Sequence, residues 1–165
     1  MAGKLKAALD ARQGDTMIMA RTDAIATDGF QEALDRMALF QEIGVDLFFV
    51  EAPTDLNQLR QIPQEISGPC VVNLIDGGAT PLLSAAECED LGYAACAVPV
   101  AATHVVVKAL QKFYRDLLES GDLRDAMQHG VGFQAYTDLV GLPQQREAEQ
   151  AYMDQANALT RRKDR

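Results

Sequence analysis

The sequence predicts an α/β fold of parallel (β/α) TIM-barrel type, present as a half-barrel of about four strands with extra helices toward the C-terminus. Three observations lead there. Short, nearly continuous apolar runs alternate with stretches of helical spacing, and the runs recur about every 22 to 30 residues, as in parallel sheets covered by helices. No GxGxxG follows the first run, which weakens the competing reading, an open doubly wound sheet that binds a dinucleotide. Arg21, Glu51 and Asn73 each stand at the end of a different run. In a parallel barrel those C-terminal strand ends converge on one face, where such folds build their sites.

The elements follow in order. Residues 4–12 carry apolar side chains at helical spacing, and Gln13, Gly14 and Asp15 break the pattern before the strand MIMA, residues 17–20. Residues 29–44 set Phe30, Leu34, Met37 and Ile43 on one face and end in Gly44, suited to the position just past a helix. A second strand is expected over 45–51, a short helix over 55–62, a strand over 69–73, a helix over 84–91 and a strand over 94–100. Residues 101–118 read as a helix of about five turns. Ser120, Gly121 and Asp122 then open a short helix, Gly130–Val131–Gly132 break it, residues 133–143 follow, and the tail is a polar helix that ends with residues 160–165, solvated or laid on a partner. The predicted organisation is a partial barrel over 1–120 and a helical segment over 121–165, swapped onto or packed against a partner.

Composition narrows the function. At 165 residues, 48% hydrophobic and 24% charged, the chain fits a soluble globular protein. A net charge of -9 repels nucleic-acid backbones and anionic membrane surfaces, so neither is an expected partner. A small anion remains acceptable, because a few arginines in a water-poor site outweigh a distant net charge. Cys70, Cys88 and Cys96 are odd in number and show no CxxC, so a disulfide framework and a zinc site are not expected, and the compartment reads as reducing and cytoplasmic. Cys70 and Cys96 lie in apolar runs and read as inert core thiols. The most apolar late stretch, residues 93–107, is too short to cross a bilayer and contains Pro99 and His104.

Each candidate also has a plainer use. Arg21 can pair with Asp23 or Asp46 at a strand end, Glu51 can serve the turn before Ala52–Pro53, and Asn73 can bond its own backbone. Gly77–Gly78 reads as a turn rather than a phosphate cradle, since no Lys or Ser follows directly. His104 reads as a satisfied structural histidine and His129 as a surface or helix-end residue. No histidines or carboxylates have metal-ligand spacing, so no metal site is assigned.

Four ordered stretches carry a resemblance: ARTDA (20–24), EIGVDLFFVEAP (42–53), VNLIDGGATPLLS (72–84) and FQAYTDLVGLP (133–143). Together they resemble the isocitrate lyase/phosphoenolpyruvate mutase superfamily, nearest to its methylisocitrate lyase, dimethylmalate lyase and carboxyphosphonoenolpyruvate mutase branch. The resemblance implies a barrel whose last helix is exchanged between subunits, and Mg2+-dependent making or breaking of C–C or P–C bonds in small 2-hydroxy or 2-oxo acids. It implies that Arg21 grips a substrate carboxylate, Glu51 contacts the substrate and Asn73 bonds a substrate oxygen, with Leu74, Ile75 and His104 beside them. His104 stands where methylisocitrate lyases place an arginine for a further carboxylate, which argues against a tricarboxylic substrate. The superfamily's metal-holding aspartates and cysteine loop would precede residue 1, so neither metal ligands nor catalytic residues are expected in this chain. The expected function is a lyase yielding a 2-oxo acid, weakly active or inactive alone, in a homodimer or homotetramer formed by helix swapping and exposed sheet edges. A non-catalytic half-barrel or assembly protein and a phosphonate P–C mutase or hydrolase are the alternatives.

Overall fold

The computed structural model describes the backbone of residues 1–163 and the side chains of residues 1–159. The side chains of the charged ending at 160–165 lie outside the described residues, and with them the expectation that this tail meets solvent or a partner. The chain forms two compact units, Met1–Val105 and Val106–Arg165.

The first unit holds four parallel strands, β1 (Met19–Thr22), β2 (Leu47–Val50), β3 (Cys70–Asn73) and β4 (Ala95–Ala97), in the order β1-β2-β3-β4. Around them run α1 (Ala2–Ala11), α2 (Ala24–Thr27), α3 (Phe30–Ile43), α4 (Leu56–Glu65), α5 (Ala85–Asp90) and the start of α6 (Ala101–Ser120). This is the predicted parallel α/β architecture. Successive strand residues point to opposite faces. Ala20, Phe48, Val50, Cys70 and Val72 form one face and join the buried core, where Met37 and Phe40 of α3 and Leu59 and Ile62 of α4 meet them. Arg21, Phe49, Val71 and Asn73 belong to the other face. Phe49 is only 7% exposed yet lies outside the core cluster, as its position on that second face requires.

Helix α3 ends as its sequence demands. Gly44 adopts φ 92°, and its N–H donates to the carbonyls of Phe40 and Gln41, a left-handed stop that glycine accepts without penalty. Its deepest residues are Ala33, Met37 and Phe40, while Phe30, Leu34 and Ile43 flank the core half-buried. Helix α4 starts on Asp55, whose carboxylate accepts from the amides of Asn57 and Gln58. It continues past the predicted end at residue 62 to Glu65, through Pro63. Proline has no N–H, so the carbonyl of Leu59, four residues earlier, loses its helical donor. The buried Tyr93 hydroxyl donates to that carbonyl instead, at 3.0 Å. Helix α5 begins with a reciprocal cap between Ser84 and Glu87.

Two strands depart from the sequence reading. β1 pairs over Met19–Thr22, two residues beyond the expected MIMA run, so Arg21 lies within the strand rather than after it. The shift is set by Asp46: its carboxylate accepts from the Ile18 amide at 2.7 Å and from Arg12 at 2.8 Å, while its own amide donates to the Ile18 carbonyl at 2.9 Å. β4 stops at Ala97, before Pro99, which cannot donate to a ladder. Cys96, expected in the core, is exposed because β4 is an edge strand.

The second unit continues α6 and adds α7 (Leu123–Ala126), a 3-10 turn (Met127–His129), α8 (Phe133–Leu139) and α9 (Leu142–Lys163). The break expected at Gly130–Val131–Gly132 separates the turn from α8. Val107, Leu110, Tyr114 and Leu118 recur at helical spacing along one exposed side of α6. Among the described residues no helix is long and apolar enough to cross a membrane.

Candidate functional site

The strand registers bring the polar residues together. Arg21 pairs with Phe49, and Phe49 with Val71, so two residues further on Glu51 comes opposite Asn73 on the same face. The Glu51 amide donates to the Thr22 carbonyl at 2.9 Å, extending the β1–β2 ladder by one step. Ala52 then takes φ 58°, a left-handed conformation unusual for a side-chain-bearing residue, and turns the chain into the buried Pro53. Glu51 is thereby left at the tip of the strand.

Three side chains meet on one oxygen. Glu51 Oε2 lies 3.4 Å from Arg21 Nη2 and accepts from Asn73 Nδ2 at 3.4 Å. Arg21 also donates from Nε to Asp23 Oδ2 at 3.1 Å and from Nη2 to Oδ1 at 2.7 Å. Its guanidinium carbon stands 5.0 Å from the centre of the Phe49 ring, within cation–π range. Asp23, Glu51 and Phe49 therefore fix the Nε and Nη2 side of the fork. Nη1, with two N–H groups, makes no hydrogen bond among the described residues. The bidentate contact lowers the Asp23 carboxyl below its usual range and raises the Arg21 guanidinium, in each case chiefly through their mutual hydrogen bond. Arg21 and Asp23 are roughly half exposed, so water screens their attraction and the pair's value is orientation. Asp46, the other candidate partner for Arg21, is bound by Arg12.

The remaining sequence-derived candidates spread outward. Leu74 is 7% exposed and packs in the core, and its amide donates to the Ala97 carbonyl. Ile75 is half-buried, and its carbonyl accepts from Gly78 in the turn that Gly77 opens at φ 79°. That turn is the plainer of the two uses considered for the glycine pair. His104 is exposed in the first turn of α6, its amide bonded to the Val100 carbonyl, and no hydrogen bond or ion pair joins it to Arg21, Glu51 or Asn73 among the described residues. A cavity of about 260 Å3 borders Arg21, Asp23, Thr27 and Arg36 but does not reach Glu51 or Asn73. One contributor escaped the sequence reading, Phe49 as the floor beneath the guanidinium; the pairing with Asp23 is the plainer use considered for Arg21, here made at two points. The signal for Phe49 was its spacing, two residues before Glu51 and so on the same face. Among the described residues no three His, Cys, Asp or Glu side chains gather to hold a metal.

Comparison with known proteins identifies the family of the chain. The family model described as phosphoenolpyruvate phosphomutase matches residues 1–118. The 2,3-dimethylmalate lyase of Eubacterium barkeri is 40% identical over 153 residues, 92% of this chain and 53% of the relative. A crystal structure of 2,3-dimethylmalate lyase, a PEP mutase/isocitrate lyase superfamily member, superposes with a TM-score of 0.82 at 28% identity, covering 92% of this chain and 54% of that one. A phosphonopyruvate hydrolase complexed with oxalate and Mg++ superposes with a TM-score of 0.78 at 25% identity, over 92% of this chain and 55% of that one. The chain spans about half the length of these relatives. With the matched model covering most of its length and its parallel sheet shared with these structures, the chain belongs to the phosphoenolpyruvate phosphomutase family, within the PEP mutase/isocitrate lyase superfamily.

Proposed function

We propose that this chain carries the substrate-gripping part of a carbon–carbon lyase site for a small 2-hydroxy or 2-oxo acid of the 2-alkylmalate type, cleaved to a 2-oxo acid. One observation carries the reading: Arg21 is clamped by Asp23 on its Nε and Nη2 side, with Nη2 beside the Glu51 oxygen that also accepts from Asn73, while Nη1 makes no hydrogen bond among the described residues. A guanidinium held in one orientation with N–H groups still free on Nη1 suits a carboxylate oxygen, which accepts a charge-assisted bond. Asn73 Nδ2 sits to donate to the substrate's 2-oxygen, and Glu51 to accept from it while that oxygen is a hydroxyl. Cleaving the C2–C3 bond of a 2-hydroxy acid requires the hydroxyl proton to leave, a carbonyl to form at C2 and a proton to reach the departing carbon. Arg21, Glu51 and Asn73 hold the C1–C2 end still for that change. Mg2+, which accompanies a superfamily relative, supplies Lewis-acid stabilisation of the developing charge when bound. The described residues do not fit such an ion by themselves, so this chain's contribution rests on the three side chains. The unpaired edges of β1 and β4 support the accompanying proposal of self-association.

Titration calorimetry with oxalate tests the grip. The wild-type chain is expected to bind, and Arg21→Lys to weaken binding at least about tenfold, about 1.4 kcal/mol, since an ammonium cannot keep the two-point contact with Asp23 and still present oriented donors. Equal affinity in the two proteins removes Arg21 from the site. Incubation with 2,3-dimethylmalate and Mg2+, assayed for a 2-oxo acid, tests turnover. Oxalate binding without product favours the non-catalytic reading, and clear turnover shows that no metal carboxylates beyond the described residues are needed.

A further inference from the structure

Among the described residues Ala52 is the only one with a side chain that takes a left-handed φ, at 58°. The position is doubly unfavourable. In that conformation Cβ crowds the following carbonyl, and a residue before proline is pushed toward extended backbone. Strain of this kind persists only where the surroundings fix both flanks. They do so here. On one side the Glu51 amide donates to the Thr22 carbonyl at 2.9 Å. On the other, Pro53 is fully buried, the Thr54 amide donates to Gln58 Oε1 at 2.8 Å, and Asp55 caps α4 through the amides of Asn57 and Gln58. A strand continued past Glu51 would carry residue 53 on the face that holds Phe49 and Glu51. The left-handed step ends that alternation at Glu51, whose Oε2 stands 3.4 Å from Arg21 Nη2 and 3.4 Å from Asn73 Nδ2.

We infer that Ala52 is a positioning residue that sets ligand specificity: its left-handed backbone holds the Glu51 carboxylate beside Asn73, and that pair selects an acid with a hydroxyl next to its carboxylate over the same acid without one. The inference rests on the reading of Arg21, Glu51 and Asn73 as a substrate site, and it names the backbone step on which the hydroxyl preference depends. Attraction of the carboxylate is set separately. Arg21 is oriented by Asp23, which follows β1, through bonds of 3.1 and 2.7 Å that do not involve the turn at residue 52. A change of backbone at residue 52 therefore moves the hydroxyl acceptor and leaves the guanidinium where it is.

Titration calorimetry of the full chain with malate and with succinate, which lacks the hydroxyl, reads the preference as a ratio of affinities. The wild type is expected to favour malate about tenfold. Ala52→Val places a branched side chain where the left-handed region excludes it, and is expected to bring the ratio below about twofold while succinate still binds. Ala52→Asn, close to valine in size but tolerant of that region, and Ala52→Gly, free of the strain, are expected to keep the preference. A general loosening of the fold lowers both affinities together and leaves their ratio unchanged. A wild-type ratio in Ala52→Val, or a lost preference in Ala52→Asn or Ala52→Gly with succinate still bound, overturns the inference alone. A wild-type chain that binds both acids alike, or neither, overturns it together with the reading of the site. Melting curves keep the test decisive if Ala52→Val does not fold. Ala52→Gly is expected to melt no lower than the wild type, since relief of strain offsets glycine's freedom in the unfolded chain, and a fall of more than about 3 °C overturns the inference.

Discussion

Replacing Tyr93 with Phe removes one oxygen from a site where the structure offers no substitute. The hydroxyl donates at 3.0 Å to the Leu59 carbonyl, which Pro63 has deprived of its helical donor. Leu59 and Tyr93 are 0% and 6% exposed, so water does not readily replace the bond. Leaving a buried acceptor unsatisfied costs about 1–3 kcal/mol, and the ring of Phe keeps the packing. For a chain of this size the expected fall in melting temperature is about 2–4 °C per kcal/mol. The partner substitution, Pro63→Ala, supplies an N–H that can reach the Leu59 carbonyl. Tyr93→Phe is therefore expected to be far less damaging in the Pro63→Ala background, with a coupling of about 1 kcal/mol or more. Urea unfolding of the wild type, both single variants and the double variant measures it. Additive losses within about 0.5 kcal/mol would refute the claim that the hydroxyl replaces the missing helical donor.

Other expectations follow from the same contacts. Phe49→Leu removes the aromatic floor under Arg21 and is expected to weaken oxalate binding about two- to fivefold, with Phe49→Tyr restoring it; calorimetry reads both. Asp46 is held below the usual carboxylate range, first by the Ile18 amide and then by Arg12. Its contribution is therefore present above the ordinary carboxylate pKa of about 4 and disappears as pH falls through the lowered value. Melting curves of Asp46→Asn are expected to depend less steeply on acid pH than those of the wild type, and parallel curves would count against this. Gly44→Ala forces a side chain into φ 92°, and a loss of about 1–2 kcal/mol is expected in chemical denaturation.

Much of the fold was legible because it is local. Gly44 announced the end of α3, the apolar run before Glu51 announced β2, and the glycine break after His129 announced α8. The errors arose where distant groups decide. The start of β1 depends on bonds between Ile18 and Asp46, 28 positions apart, and a run of four apolar residues holds no trace of them. Helix α4 survives Pro63 because Tyr93 arrives from 34 residues beyond Leu59. Cys96 looks apolar in sequence, but only the strand order reveals that β4 is an edge. At the site, Arg21 pairs with Asp23, the plainer use the sequence offered, and also lies beside Glu51, which accepts from Asn73 in turn. Phe49 stayed hidden because a run apolar on both faces does not say which of its members lies beneath a cation.

The alternation of β1, β2 and β3 separates two kinds of inheritance. Ala20, Phe48, Cys70 and Val72 answer to the helices, whereas Arg21, Phe49 and Asn73 answer to whatever occupies the opposite side. A lineage can therefore exchange a guanidinium or an amide for another group and try a new ligand while its folding interior goes unrevised. Chemical novelty in such a scaffold is gated by side-chain choice at every second position, and the architecture persists as preferences drift.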